Sequence, residues 1–155
     1  MSNFVQGYEL RNLKYGFYVK RAAKKLPDNT TETAFTITGG PVLITGLVGR
    51  YVTAADATAT TLQITTTATG STGGNLSTAV SVASSEIGVM VGLTDGKGGA
   101  LIVGATAGVG LPLANPFSLN TGTIVLKTVG TTSTGTVEWY LTYVPLNTGA
   151  AVATA

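Results

Sequence analysis

Thr121–Pro145 reads TGTIVLKTVG, then TTSTG, then TVEWYLTYVP. Two β-type runs flank a Gly/Ser/Thr connection, a pattern that predicts a β-hairpin. In the second run Val137, Trp139, Leu141 and Tyr143 alternate with Thr136, Glu138, Tyr140 and Thr142. Period two puts each set on its own face of a strand. In the first run Ile124 and Leu126 share one face, and Val125, Lys127 and Val129 share the other. Trp139 is the one tryptophan in the chain, and a buried ring of that size contributes more than most aliphatics. The Trp139 face is therefore expected to floor the core, under the first run and the Val42–Thr53 segment. Glu138 is expected to face Lys127 across the hairpin, as an exposed pair worth under about 1 kcal/mol.

The composition supports strands throughout. Among 155 residues, 28 are Thr and 21 are Gly, and only 10% are charged. Thr is β-branched and suits a half-buried strand, whereas a chain poor in Glu, Lys and Leu makes few helices. The expected fold class is all-β: a β-sandwich or jelly-roll-like barrel of roughly 8 strands, preceded by an extended N-terminal arm. A length of 155 residues suits one domain.

Outward from the quoted stretch, similar signals recur. Phe35 and Ile37 alternate with Thr36 and Thr38, and Gly39-Gly40-Pro41 is a turn. Val42–Thr53 is a long strand, with Gly46 and Gly49 marking a bulge or a close backbone approach. Thr60–Thr67 places Leu62 and Ile64 inward, and Leu76–Val82 is a weaker strand. Ile87–Thr94 and Ala100–Val103 flank Asp95-Gly96-Lys97-Gly98-Gly99, the sharpest turn signal, and make a second hairpin. Gly104–Asn120 reads as irregular. The expected core comprises Val42, Ile44, Leu62, Ile64, Val89, Val91, Ile124, Leu126, Val137, Trp139, Leu141 and Tyr143.

Charge divides the chain. Residues 1–28 carry a balance of +4 and residues 29–155 one of −2. The first segment interleaves Tyr8, Arg11, Lys14, Tyr15, Phe17, Tyr18, Lys20, Arg21, Lys24 and Lys25. Arg and aromatic residues are enriched where proteins meet, so residues 1–28 are expected to be an arm that lies on a partner. The other reading is a first strand with a charged edge. Residues 29–148 are then the β-domain, and 149–155 a flexible tail. Basic residues mixed with aromatics also suit nucleic acid, but no binding-motif pattern accompanies them, and no nucleic-acid partner is expected.

The inventory of chemical groups is thin. The chain has no cysteine and no histidine, which removes the thiol nucleophile, the commonest general base and the commonest transition-metal ligand. Gly96-Lys97-Gly98-Gly99 lacks the spacing and the following Ser/Thr of a phosphate loop, and Gly104, Gly108 and Gly110 lack a strand–helix context. Asp56 and Asp95 are isolated turn residues, without the clustered oxygens that calcium requires. Glu86, Glu138, Asp56 and Asp95 do not suggest a carboxylate pair for glycoside hydrolysis. Asn29-Thr30-Thr31 and Asn75-Leu76-Ser77 fit a glycosylation sequon, but no apolar leader precedes them. The run 99–114 is too short and too broken by Gly and Pro to span a membrane. The expectation is a protein that is not an enzyme, has no cofactor or metal, and has no membrane partner.

Gly39–Ala54, GGPVLITGLVGRYVTA, and Gly122–Val152, GTIVLKTVGTTSTGTVEWYLTYVPLNTGAAV, together with the Thr/Gly-rich middle, resemble small structural proteins of tailed bacteriophages. The family is that of capsid cement, or decoration, proteins. The resemblance implies a β-rich domain that assembles, often as trimers, on the outer surface of an expanded head. Its partners would be the major capsid protein and further copies of itself. Its location would be the virion surface, after synthesis in the host cytoplasm. A second structural role is a tail, head-fibre-base or receptor-binding module, and a third reading is an enzyme or carbohydrate-binding β-domain. The last two classes would be expected to expose aromatic platforms, and the Gly70–Asn75 loop has none.

Overall fold

The computed structural model describes residues 7–70, 72–104, 108–109, 113–130 and 134–155, without the side chains of Tyr8, Arg11 and Leu13. In chain order the elements are α1 (Gly7–Tyr15), β1 (Phe17–Lys25), β2 (Thr31–Thr38), β3 (Val42–Thr53), β4 (Thr60–Ala68), β5 (Gly74–Asn75) and β6 (Val80–Ser81). They continue as β7 (Met90–Leu93), β8 (Leu101–Gly104), β9 (Phe117–Leu119), β10 (Gly122–Gly130), β11 (Thr136–Pro145) and β12 (Ala151–Thr154).

The strands form two antiparallel sheets packed face to face, a β-sandwich. The first runs β1-β11-β3-β7-β8, with β9 also on β3, and the second runs β12-β2-β10-β4-β5, with β6 also on β4. The pairs are nested: β1 meets β11, β2 meets β10, β3 meets β7, and β4 meets β5. The chain is thus one long hairpin of strands wrapped into two sheets, which is the order of a jelly roll. Consecutive long strands alternate between sheets, so most connections are corners of the sandwich.

This topology corrects the reading of Thr121–Pro145. β10 and β11 are not paired with each other: β10 lies between β2 and β4, and β11 between β1 and β3. Thr131–Ser133, in the connection between β10 and β11, lie outside the described residues. The alternation itself was sound, since a strand shows the same period to the core in either sheet. Consequently Lys127 stands opposite Thr31 and Gln63 rather than Glu138. The second hairpin, β7 with β8, is present.

Two segments expected to stand apart belong to the sheets. Phe17–Lys25 pairs with β11 from Phe17–Tyr143 to Lys25–Thr136, with one bulge between Arg21 and Lys24. Its inward residues explain this, because Val19 and Arg21 stand opposite the core residues Leu141 and Trp139. In the 149–155 tail, Ala151–Thr154 pairs with β2, and Val152 is buried.

The twelve residues expected in the core are all buried, Trp139 completely. Gly49 makes room for it: a Cβ there would lie 2.8 Å from Val137 Cγ1 and 3.0 Å from Trp139 Cε3. The bulge anticipated at Gly46 falls beside it, where Thr142 pairs with Gly46 and Tyr143 with Ile44, leaving Thr45 over.

Candidate docking face

The N-terminal elements are set on the outside of the first sheet. α1 ends at Gly16, whose φ of +84° is the left-handed conformation that closes a helix. The Gly16 amide donates to Asn12 O at 2.9 Å, and a Cβ at Gly16 would sit 2.1 Å from Tyr143 O. The Thr45 hydroxyl donates to Tyr15 O at 2.6 Å, tying the helix end to β3. The chain therefore enters β1 with Tyr18 and Lys20 on the outer face, opposite Thr142 and Tyr140.

Four side chains from three strands converge on that face. Glu138 of β11 stands opposite Arg50 of β3. Its Oε2 is 2.9 Å from Lys20 Nζ and its Oε1 is 3.0 Å from Arg50 Nε. The Tyr140 hydroxyl donates to Oε1 at 2.8 Å, and Lys20 Nζ lies 5.3 Å from the centre of the Tyr140 ring. The Glu138 side chain is only 8% exposed, yet Lys20 and Arg50 remain 49% and 52% exposed. The cover over Glu138 is the thin layer of side chains that bind it. The hydrogen bond from Lys20, then that from Tyr140, holds the Glu138 carboxyl below the usual carboxylate range. Glu138, then Tyr140, raises the pKa of the Lys20 ammonium. The arrangement holds two cations in fixed positions about one carboxylate, and leaves the group with a net positive charge.

The other arm residues separate into different roles. Tyr18 is 58% exposed beside Lys20 on the outer face. Phe17 is exposed and meets the Tyr143 ring at 6.1 Å. Lys14 lies 5.1 Å from the Tyr15 ring centre. Arg21 and Lys24 instead reach Glu32 of β2, and Lys25 reaches Asp28 at 3.2 Å. The Tyr8 and Arg11 side chains lie outside the described residues. The sequence therefore pointed to Lys20 but missed its neighbours. Arg50, Glu138 and Tyr140 come from strands 30 to 120 positions away, and only strand register brings them to Lys20.

The outer face of the second sheet is of another kind. Across β2, β10 and β4 it presents Thr36, Thr123 and Thr67 in one row, then Thr33, Val125 and Thr65, then Thr31, Lys127 and Gln63. Thr61 and Thr65 donate their hydroxyls to backbone carbonyls of β10, those of Val129 and Val125. Lys127 is the one charge in those rows.

Elsewhere the described polar groups brace turns and corners. Asp95 accepts from Asn115 Nδ2 at 2.6 Å and from the Gly96 amide at 2.7 Å, which hold its carboxyl low and brace a turn. Ser84 has a φ of +55° and donates its amide to Asp56 O at a corner. Among the described residues no three acidic, Cys or His side chains cluster as metal ligands, and no helix is long and apolar enough to cross a membrane. Compared with protein families, curated proteins and solved structures, the chain matches none.

Proposed function

We propose that this chain is a non-catalytic assembly protein of the kind that decorates the outside of a tailed-phage head. In this reading it binds the major capsid protein and stiffens contacts between its copies, and it works as a homo-oligomer. The carrying observation is the asymmetry of the sandwich. One outer face bears Tyr18, Lys20, Arg50 and Tyr140, while the other is a nearly uncharged threonine lattice. Arg and aromatics favour contact. A neutral surface weakens the repulsion that keeps copies apart. The stretches that resemble the decoration family fall on β3, β10, β11 and β12. Jelly rolls serve in viral capsids and lectins, an analogy of fold alone. A ligand confined to the assembled shell stabilises it by mass action at every site it fills.

Electron cryo-microscopy of phage heads lacking the protein, before and after its addition, tests this. Regular density on the head exterior is expected. Density at the tail or fibre base, or none, would replace this reading with the receptor-binding or tail role.

A further inference from the structure

Lys20 and Arg50 both reach the one carboxylate of Glu138 from half-exposed positions. With both cations half exposed, water screens their pairing to Glu138, so the convergence of β1, β3 and β11 has a modest energetic yield within the fold. Its geometric consequence is larger. Glu138 uses one donor direction of the Lys20 ammonium and the Nε edge of the Arg50 guanidinium. An ammonium has three donors and a guanidinium five, so both cations keep N–H groups to offer on half-exposed side chains. Tyr140 lies under Lys20, and Tyr18 stands at the rim. Two cations and one carboxylate leave a charge of +1, which a second carboxylate would neutralise. A guanidinium fork beside an ammonium suits a carboxylate group.

We propose that Lys20 and Arg50, positioned by Glu138, form a receptor for an Asp or Glu side chain of an acidic protein partner, with Tyr18 and Tyr140 as its aromatic rim. The proposal rests on the assembly reading above and names the chemistry of its contact. Charge complementarity selects the occupant. A nucleic-acid surface neutralises several phosphates along a backbone, whereas this group offers two cations, Lys20 and Arg50, around a carboxylate already in place. An acidic protein surface needs one such contact per copy, repeated over many copies.

The test titrates a peptide of eight glutamates into the isotope-labelled full chain, followed by amide and side-chain NMR shifts. A dT8 oligonucleotide and an uncharged Gly/Ser peptide serve as comparisons. The glutamate peptide is expected to shift Lys20, Arg50, Tyr140 and Tyr18. Lys20→Gln with Arg50→Gln should weaken it at least tenfold, and Lys127→Gln should leave it unchanged. A stronger response to the oligonucleotide, or equal weakening by Lys127→Gln, would overturn the proposal, as would no shift at these residues. Head decoration separates the two readings. If the natural chain decorates heads and the double variant does so equally well, this inference fails and the assembly reading stands. If the natural chain decorates nothing, the assembly reading fails while the peptide titration still decides the receptor.

Discussion

Arg21 of β1 and Glu32 of β2 join the two sheets at their shared edge, Nη2 to Oε1 at 2.6 Å, with the Arg21 side chain 5% exposed. Arg21 stands opposite Trp139 and Glu32 opposite Leu126, so both point between the sheets. Lys24 adds a second contact to the same carboxylate oxygen. Removing one partner of a covered pair leaves the other desolvated and uncompensated. Arg21→Ala is expected to lose about 2–4 kcal/mol, toward the low end because Glu32 keeps some solvent. Lys24→Ala, at an exposed position, should lose under about 1 kcal/mol. Urea unfolding of both variants measures the contrast, and equal losses would show that the edge is not clipped by Arg21.

Deleting residues 1–28 is expected to abolish cooperative folding. The deletion removes β1 and the buried Leu26, and strips one side of β11, whose Trp139, Leu141 and Tyr143 then border solvent. A bare β11 edge also invites pairing between molecules. Gel filtration and near-ultraviolet circular dichroism read this directly. A monomeric truncated chain with native dichroism would restore the picture of a separable arm.

Gly49→Ala should destabilise by about 1–3 kcal/mol, since overfilling a packed core forces neighbours off their rotamers. The new methyl would meet Val137 Cγ1 at 2.8 Å and the Trp139 ring at 3.0 Å. Trp139→Ala, at the same contact, should lose about 3–5 kcal/mol. Thermal unfolding followed by calorimetry checks both, and an unshifted midpoint for either would exclude the stacking of Trp139 on β3.

Tyr51 gives an alkaline test. Its hydroxyl is buried beside Ser85 but out of hydrogen-bonding geometry with it, and the Ser85 hydroxyl itself donates to Val82 O. Burial, partly offset by Ser85, pushes its pKa up to about 12. The folded state thus keeps a proton that the unfolded chain releases near pH 10. Stability should fall by roughly 2–3 kcal/mol as pH climbs from the unfolded value to the folded one. Tyr51→Phe should flatten that window and be neutral or slightly stabilising at pH 7, as an unpaired hydroxyl is lost. A clear loss at pH 7 would reveal a partner for the hydroxyl.

Glu138 gives the acid counterpart. Its folded pKa is lowered by Lys20 and then Tyr140, so the folded state binds fewer protons than the unfolded chain through that range. Its contribution is present above the ordinary carboxylate value and is lost as pH falls through the folded one. Carbon-detected NMR titration of the Glu138 carboxyl should show a midpoint below the ordinary glutamate value, and Lys20→Gln should move it back upward.

The sequence by itself determined the long strands of the body, their faces and the core, but not the strands β1 and β12 at its two ends. β3 spans Val42–Thr53 as read from its pattern, and every residue named for the core is buried. Alternation carries that information because a strand's two faces are decided locally, by period two and by side-chain hydrophobicity. The turn at Asp95–Gly99 was equally legible, because β7 and β8 pair directly across it. The tertiary structure decided which strands pair. β10 and β11 look like a hairpin from their alternation, yet each pairs with strands far away in sequence. The same gap hid the group around Glu138. Lys20, Arg50, Glu138 and Tyr140 are ordinary surface residues in their own strands, and become a group only when β1, β11 and β3 lie in register. Register across long separations is decided by how both inner faces fill one core, a property of all the strands together that no single stretch encodes.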